Sequence, residues 1–251
     1  MIAITGATGQ LGQHVLENLL TTVPAGQVVA IVRNPAKAES LSQKGVVVRQ
    51  ADYSDEAALT AALQGVDKLL LISSSEVGQR AVQHRNVINA AKAAGVKFIA
   101  YTSLLHADTS PLGLADEHIA TEKMLADSGI AYALLRNGWY TENYTQGAPG
   151  AVAQGALFGC ADEGRIASAG RADYAEAAAI VLASDQHREP VYELAGDSAY
   201  TLGELAAVIA RQSGQRVDYV NVSEADYVSA LQQAGLPKEF ASVLADADRG
   251  V

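Results

Sequence analysis

Short runs of apolar residues alternate with longer segments of helical periodicity through the first 136 residues. The runs are rich in Val, Ile and Leu, which is typical of strands buried on both faces of a sheet. Strands joined by helices form βαβ units, so the pattern predicts a doubly wound, mostly parallel α/β sheet with helices on both faces. One of these helices, at 55–63, is predicted to begin after an N-cap at Ser54. The predicted strands span residues 2–4, 28–32, 46–50, 68–72, 98–101 and 131–135.

The pattern changes after Arg136. Residues 137–170 contain seven glycines and few periodic segments, which predicts loops and short elements over the carboxyl edge of the sheet. We therefore expect residues 137–251 to form a smaller C-terminal α/β lobe that shares elements with the sheet of residues 1–136. Helices are predicted there at 171–183, 201–213 and 223–235, and strands at 191–194 and 217–220.

A glycine-rich turn joins the first predicted strand to the first helix, with the sequence Thr5-Gly6-Ala7-Thr8-Gly9-Gln10-Leu11-Gly12. Such a turn presents unpaired backbone N–H groups and the positive end of the helix dipole, which suits a pyrophosphate. In this interpretation Gly6 permits the tight turn, Gly9 lets the backbone approach the phosphates, and Gly12 lets the helix lie close to its strand. Because strand and helix are both present, the motif predicts a Rossmann-type, NAD(P)-binding domain over residues 1–136.

Arg33 closes the second predicted strand and indicates which dinucleotide is bound. Proteins that prefer NAD carry an acid about 20 residues past the turn, where it accepts a hydrogen bond from the ribose 2′-hydroxyl. No acid stands near Arg33 in the sequence, and Glu39 lies in the following helix. A guanidinium can instead pair with a 2′-phosphate. The sequence therefore predicts NADPH as the cofactor, with a solvated surface arginine as the alternative.

Ligands of a doubly wound sheet bind outside the carboxyl ends of its strands. This rule brings polar segments from several loops to one edge, and we expect the smaller lobe to close there over the substrate site. The segments beyond the glycine turn and Arg33 are Asp52 and Tyr53, then Ser73, Ser74 and Ser75, then Thr102 and Ser103, and finally Asn137, Gly138, Trp139, Tyr140, Thr141 and Glu142.

Composition and charge narrow the range of partners. The net charge of −10 argues against binding to nucleic acid or to an anionic membrane, because both need a cationic surface. The only cysteine, Cys160, excludes an intrachain disulfide and is interpreted as a packing residue, and no signal peptide is recognised, so a cytoplasmic protein is expected. The histidines lack metal-ligand spacing, so no metal is expected. The oligomeric state stays open, with a homodimer among the outcomes.

The predicted fold resembles the short-chain dehydrogenase superfamily, whose reductases usually carry a Tyr-x-x-x-Lys pair as proton donor. None of the ten tyrosines has a lysine four residues later. The nearest candidate pair, His118 with Lys123, has a different spacing and is interpreted as a solvated helix face. The sequence therefore argues against an ordinary carbonyl reductase.

The missing acid limits the chemistry of the substrate. Hydride transfer to a ketone makes a strongly basic alkoxide, for which a positioned acid is valuable. Transfer to a quinone makes a phenolate-like anion, whose conjugate acid has a pKa near 10 by analogy with tyrosine, so water can protonate it afterwards. A cationic conjugated dye is neutralised by the hydride directly. The physical chemistry favours a conjugated electrophile as the small-molecule substrate.

A family resemblance covers essentially the whole chain. The motif at 4–12, Leu70 to Arg80, Tyr101-Thr102-Ser103 and Leu134 to Asn143 resemble the NmrA-like atypical short-chain dehydrogenases, and within them the members that reduce quinones or triphenylmethane dyes. The resemblance implies an NADPH-dependent oxidoreductase, and a C-terminal segment that usually follows the position of Val251. It also implies cofactor contacts in four groups: Gly6, Ala7, Thr8, Gly9, Gln10 and Leu11 for the phosphates, Arg33 for the 2′-phosphate, Ser73, Ser74 and Ser75 for the ribose, and Asn137 to Glu142 for the nicotinamide side.

The sequence leaves two other functions to consider. A non-catalytic NAD(P)-binding redox sensor of the NmrA type would also lack a proton donor. A sugar-nucleotide epimerase is disfavoured, because that chemistry needs the absent tyrosine to deprotonate a hydroxyl. Oxidation of NADPH by a simple quinone separates the enzyme from the sensor.

Overall fold

The computed structural model describes residues 1–186 and 190–251. They divide into two units. The first comprises Met1–Asp108, Asp116–Asn137 and Arg171–Leu194, and the second comprises Thr109–Ala115, Gly138–Gly170 and Ala195–Val251. The predicted boundary at Arg136, and the closing of the smaller lobe over the substrate site, stay predictions.

The first unit is built on a seven-stranded parallel sheet. Its strands are β1 (Ile2–Ile4), β2 (Val28–Val32), β3 (Val47–Gln50), β4 (Lys68–Leu71), β5 (Phe98–Leu104), β6 (Ala131–Asn137) and β8 (Val191–Leu194). Their order in the sheet is β3-β2-β1-β4-β5-β6-β8, which confirms the predicted doubly wound α/β fold.

Helices flank this sheet, and two pairs of them pack against each other. These pairs are α1 (Gln10–Leu19) with α8 (Arg171–Ala183), and α3 (Glu56–Ala62) with α4 (Arg80–Ala94). Alternate strand residues face opposite sides of a sheet. Leu69 and Leu71 belong to the core that includes α3 and α4, while the intervening Leu70 is equally buried. Both faces are therefore covered, as a parallel sheet requires. Two further helices are α2 (Glu39–Gln43) and α5 (Ala115–Asp127).

The predicted N-cap of α3 was wrong by one residue. Asp55 caps the helix, and its carboxylate accepts a hydrogen bond from the N–H of Ala58 at 2.9 Å. Ser54 instead donates to Asp52 from its backbone N–H and its hydroxyl, which holds the pKa of the Asp52 carboxyl below its usual range. The Asp55 carboxylate at the N-terminus of α3 also interacts favourably with the helix dipole.

The second unit contains short elements where they were predicted and one helix that was not predicted. The segment 137–170, predicted to be loops and short elements, contains two short helices and a short strand, and the helix that was not predicted is α11 (Lys238–Arg249). The capped helix was predicted correctly, because Thr201 and Glu204 form a reciprocal capping box. The elements are α6 (Glu142–Thr145), α7 (Ala148–Gln154), β7 (Ala156–Gly159), α9 (Leu202–Ser213), β9 (Asp218–Asn221), α10 (Glu224–Gln233) and α11 (Lys238–Arg249), with β7 and β9 paired in parallel.

A buried polar cluster ties α11 to the rest of this unit. The Tyr144 hydroxyl donates to Asp248 at 2.8 Å, and the N–H of Cys160 donates to the same carboxylate at 3.2 Å. The Cys160 thiol lies 3.4 Å from the carbonyl oxygen of Ala245, and burial raises its pKa to about 11. A buried, protonated thiol fits the prediction that Cys160 is a packing residue. None of the described helices is long and apolar enough to cross a membrane.

Candidate dinucleotide site at the carboxyl edge of the sheet

The direction in which successive strands are added to the sheet reverses between β1 and β4. Strands β2 and β3 extend it on one side of β1, and β5, β6 and β8 extend it beyond β4. Loops that leave two such neighbouring strands diverge and open a crevice at their carboxyl ends. Here the turn after β1 and the segment after β4 stand side by side, since a methyl group on Gly6 would lie 3.5 Å from Cβ of Ile72.

The glycine turn is tightly folded on itself. Gly6 has a φ of +59°, and its carbonyl oxygen accepts a hydrogen bond from the N–H of Gly9 at 2.9 Å. A methyl group on Gly9 would lie 3.1 Å from that oxygen, whereas one on Gly12 would collide with it and lie 2.9 Å from Cα of Ala7. The absence of a side chain at Gly12 therefore allows the first turn of α1 to pack against the backbone of the glycine turn. The expectation that Gly12 lets the helix lie close to its strand stays a prediction.

The N-terminus of α1 is open to an anion. Its N-cap, Gly9, has extended backbone, and in the described part of the chain no side chain caps this helix. Its first turn also contains no acidic residue. The N–H groups of a first helical turn have no intrahelical partners, and with the helix dipole they attract phosphate.

Tyr53 joins the loop after β3 to the two central strands. Its hydroxyl lies 2.5 Å from Oγ1 of Thr5 and 2.7 Å from the carbonyl oxygen of Ile72. Thr5 Oγ1 in turn donates to the Leu70 carbonyl and accepts from the N–H of Ile72. Burial raises the pKa of Tyr53, so the phenol stays protonated and serves as a fixed link.

The serine segment after β4, which comprises Ser73, Ser74 and Ser75, is fixed by hydrogen bonds to two buried side chains. The N–H of Ser73 donates to Oγ1 of Thr102 at 2.8 Å, and the N–H of Ser74 donates to Nε2 of His84 at 2.9 Å. Burial and the charge of Arg80 lower the pKa of His84 to about 3. The ring is therefore neutral, with its proton on Nδ1, which donates to Oγ1 of Thr121 at 2.9 Å. A neutral histidine that accepts from the backbone fixes the position of Ser74.

His118 is buried, so its interpretation as part of a solvated helix face was wrong. It lies on α5, and its Nδ1 is 2.7 Å from the hydroxyl of Tyr101, a side chain with no exposed surface. Burial and the charge of Arg80 lower the pKa of His118 to about 3. Burial also raises the pKa of Tyr101. The two groups form a neutral pair inside the protein.

Arg33 does not stand alone at the end of β2. Its Nη1 lies 3.1 Å from Oε1 of Glu76, which follows the serine segment and is 43 positions further along the chain. The other carboxylate oxygen of Glu76 accepts from Nε2 of Gln83 at 2.7 Å. The sequence around Arg33 contains no acid, because this acid comes from the loop after β4. The order of the strands was the one signal that could have placed it there.

The glycine turn, Tyr53, the serine segment and the Arg33–Glu76 pair line a cavity of about 570 Å³ within the first unit. The structure brings together most of the predicted site residues of that unit. Ala7 is fully buried and is absent from the lining, so its side chain serves packing. The lining comprises Gly6, Thr8, Gly9, Gln10, Leu11, Gly12, Ile31, Val32, Arg33, Asn34, Lys37, Ala51, Asp52, Tyr53, Ile72, Ser73, Ser74, Ser75, Glu76 and Gln83.

The sequence profile of a family described as NAD(P)H-binding matches residues 6–185. That range contains the glycine turn, Arg33 and the serine segment. The chain belongs to this NAD(P)H-binding family. The presence of a dinucleotide-binding domain, predicted from the turn and its flanking elements, is thereby confirmed.

Individual relatives of this NAD(P)H-binding chain are oxidoreductases. It is 71% identical over 250 residues to quinone oxidoreductase 2 of Escherichia coli, covering 100% of this chain and 87% of that protein. The crystal structure of the NADPH-dependent quinone oxidoreductase from Escherichia coli in complex with NADPH superposes with a TM-score of 0.96, over 100% of this chain and 88% of that one. Triphenylmethane reductase of Citrobacter, complexed with NADP(H), also gives 0.96 at 40% identity, over 100% of this chain and 89% of that one.

A third relative bears on the predicted family. An NmrA-like family domain-containing oxidoreductase of Aspergillus flavus is 32% identical, covering 90% of this chain and 76% of that protein. The resemblance to NmrA-like proteins is therefore confirmed.

The cavity of this NAD(P)H-binding protein fits a dinucleotide on structural grounds. Its open helix N-terminus suits phosphates. Gln83 is only 8% exposed, and its Oε1 has no hydrogen-bond partner among the described residues. A buried, unsatisfied amide oxygen at the wall of a cavity is a place for a donor on a ligand. Within the described residues, no cluster of side chains is suited to hold a metal ion.

The last predicted segment is divided between the two units. Asn137 ends β6 in the first unit, is 5% exposed, and leaves its Oδ1 without a hydrogen-bond partner among the described residues. In the second unit, the N–H of Thr141 donates to the Ala169 carbonyl at 2.9 Å, and the Thr141 hydroxyl lies 2.8 Å from that of Ser168. The assignment of Gly138, Trp139, Tyr140, Thr141 and Glu142 to the nicotinamide side stays a prediction.

Proposed function

We propose that this protein is an NADPH-dependent oxidoreductase that transfers hydride to a quinone or a similar conjugated electrophile, including cationic triphenylmethane dyes. The observation that carries the proposal is the cavity in which the open N-terminus of α1 and the guanidinium of Arg33 stand at the same sheet edge. The 71% identity to a quinone oxidoreductase and the likeness to a triphenylmethane reductase support the substrate class.

The proposed placement of NADPH follows the sheet edge. Backbone N–H groups of residues 6–11 would hold the diphosphate, and Arg33 would pair with the 2′-phosphate. The serine segment, fixed by His84 and Thr102, would contact the ribose. We assign Asn137 to Glu142 to the nicotinamide side, where the unsatisfied Oδ1 of Asn137 offers an acceptor.

When bound, NADPH supplies the hydride. The protein then needs only to bind the cofactor and the acceptor, orient them, and exclude water during the transfer. No tyrosine of the chain is followed by lysine at the fourth position. Tyr101 and His118 form a neutral buried pair, and Tyr53 links the central strands, so their protons serve structural contacts. A quinone fits this arrangement, because the anion it forms is weakly basic enough for water to protonate.

Single-turnover oxidation of NADPH tests the proposal, with a simple quinone, a cationic triphenylmethane dye and an unactivated ketone as acceptors. We expect turnover with the quinone or the dye and none with the ketone. Tyr101→Phe and His118→Ala should each keep the chemical step within about tenfold, below the ~10²–10⁴ of a general acid. Tight NADPH binding without turnover of any acceptor would favour a redox sensor instead. A loss near 10⁴-fold at unchanged NADPH affinity would show that a proton donor exists.

We extend the proposal to location and assembly. A cytoplasmic location agrees with the free, buried Cys160, since a reducing compartment maintains thiols. A homodimer stays a prediction, which light scattering on the purified protein tests.

A further inference from the structure

Glu76 introduces a negative charge at the part of the cavity where the proposed function needs a positive one. Its carboxylate lies 3.1 Å from Nη1 of Arg33, and both residues line the cavity. A phosphate on the ribose carries a charge of about −1.5 to −2 near pH 7, by analogy with phosphorylated side chains. Such a phosphate and the Glu76 carboxylate would therefore seek the same guanidinium while repelling each other.

The position of Glu76 is set by two further contacts. Its N–H donates to Oγ of Ser74 at 3.1 Å, and its Oε2 accepts from Nε2 of Gln83, a buried residue of α4. Ser74 is itself fixed by His84. The carboxylate is thus directed toward Arg33 by groups that belong to the cavity wall, and the ion pair is part of how the site is built.

The ion pair is exposed enough to be replaced by a ligand. The side chain of Arg33 is 68% exposed and that of Glu76 is 48% exposed. Exposed pairs of this kind contribute little net free energy, so a dianionic phosphate can displace the carboxylate. An unphosphorylated ribose needs no displacement, because an acid at this edge can accept a hydrogen bond from the 2′-hydroxyl.

We propose that Glu76 is a specificity-determining residue that competes with the cofactor 2′-phosphate for Arg33 and thereby lowers the preference for NADPH over NADH. The inference rests on the proposed function, which assigns the 2′-phosphate to Arg33. In the protein without cofactor, the charge of Arg33 is then already compensated by Glu76. Removal of the Glu76 carboxylate charge then strengthens NADPH binding.

The test is a double-mutant cycle on cofactor binding with Glu76→Gln, Arg33→Gln and the double variant. Dissociation constants are measured by fluorescence for NADPH and NADH, and by calorimetry for 2′-AMP and 5′-AMP, which lack the nicotinamide. Glu76→Gln should tighten NADPH and 2′-AMP about two- to fivefold, as expected for an exposed ion pair of about 0.4–1 kcal/mol. NADH and 5′-AMP should bind equally well or more weakly. In the Arg33→Gln background the gain should become smaller, because only the direct repulsion between the carboxylate and the phosphate is then relieved.

A matched control removes the same charge elsewhere. Glu176→Gln, at an exposed position of α8, should leave the ratio of NADPH to NADH affinity unchanged. Glu76→Ala is a second variant that removes the charge without the amide of glutamine, and it should shift NADPH binding in the same direction. Circular dichroism and thermal melting verify the fold of each variant.

The outcomes separate the inference from the function on which it rests. If Arg33→Gln weakens NADPH relative to NADH but neither Glu76 variant tightens NADPH by at least twofold, the competition is refuted and the proposed function stands. A gain of the same size in the Arg33→Gln background would refute competition for Arg33 as well. If Arg33→Gln leaves the NADPH to NADH ratio unchanged, the assignment of the 2′-phosphate fails, and the inference fails with it.

Discussion

Two parts of the cavity wall are built by opposite means. The part formed by the glycine turn consists of backbone, held by the Gly9 to Gly6 hydrogen bond and by the close fit of Gly12 against Ala7. The part around Arg33 consists of exposed side chains, one of which is paired with an acid from another loop. In the proposed placement of NADPH, the first part would hold the diphosphate common to all dinucleotides, and the second would discriminate between them. Binding would then depend on the fold itself, and cofactor preference on a few exposed side-chain contacts.

The serine segment belongs with the backbone-built part. Its hydrogen bond to His84 is buried, its hydrogen bond to Thr102 is partly buried, and His84 is neutral. Buried hydrogen bonds that replace water cost more to break than exposed ion pairs contribute. Mutations in the two parts should therefore differ in the size and in the kind of their effects.

The largest effect is expected for Gly9→Val, which would break the backbone-built part. The new side chain would stand where phosphate must approach the open N-terminus of α1, so NADPH and NADH should both lose detectable binding. Fluorescence titration measures this, with circular dichroism as the folding control. Gly26→Val is the matched control, since a methyl group on the exposed Gly26 meets nothing within 4 Å. Retained affinity in Gly9→Val would refute the phosphate assignment.

A smaller and selective effect is expected for Arg33→Asp. The variant replaces a charged hydrogen-bond donor by an acid, so NADPH affinity should fall about 10- to 100-fold, while NADH affinity is kept or improved. Dissociation constants for both cofactors measure the change. Equal losses for NADPH and NADH would mean that Arg33 acts on something other than the 2′-phosphate.

The last prediction concerns the stability of the fold and has no direct effect on cofactor preference. It involves two buried histidines, His84 behind the serine segment and His118 beside Tyr101. Their pKa values are about 3 in the folded protein and about 6.5 in an unfolded chain. Between these values the unfolded chain binds protons that the folded protein does not, so the free energy of unfolding falls as the pH is lowered from about 6.5 toward 3. Each histidine contributes a slope of at most about 1.4 kcal/mol per pH unit.

Urea denaturation across this pH range checks the prediction. His118→Gln should lower stability at neutral pH but reduce the dependence on acid, because one of the two neutral rings is gone. His14→Gln serves as the control, since it removes an exposed imidazole of α1. An unchanged slope in His118→Gln would show that this ring is protonated in the folded protein.

The local sequence pattern was sufficient to predict most strands and helices of the first unit. Apolar runs predicted its strands, and the glycine turn was located from its flanking strand and helix. The capping box at Thr201 was also readable, because it depends on residues three positions apart. Residues 137–170 were predicted as loops and short elements, and the short α6, α7 and β7 form there, but their number and type were not predicted. α7 and β7 pack on α9 and β9, which come much later in the chain, so tertiary contacts decide elements for which local preference is weak.

The sequence by itself determined that the chain folds as a doubly wound sheet with a glycine turn and an arginine after its second strand, because these depend on short-range periodicity. Only the tertiary structure decided what those groups meet. Glu76 reaches Arg33 across 43 positions, and His118 turns inward to Tyr101, because β1 and β4 are neighbours and α5 packs onto the sheet. Charge and burial at a site are properties of side chains brought together from distant segments, so a local pattern cannot contain them.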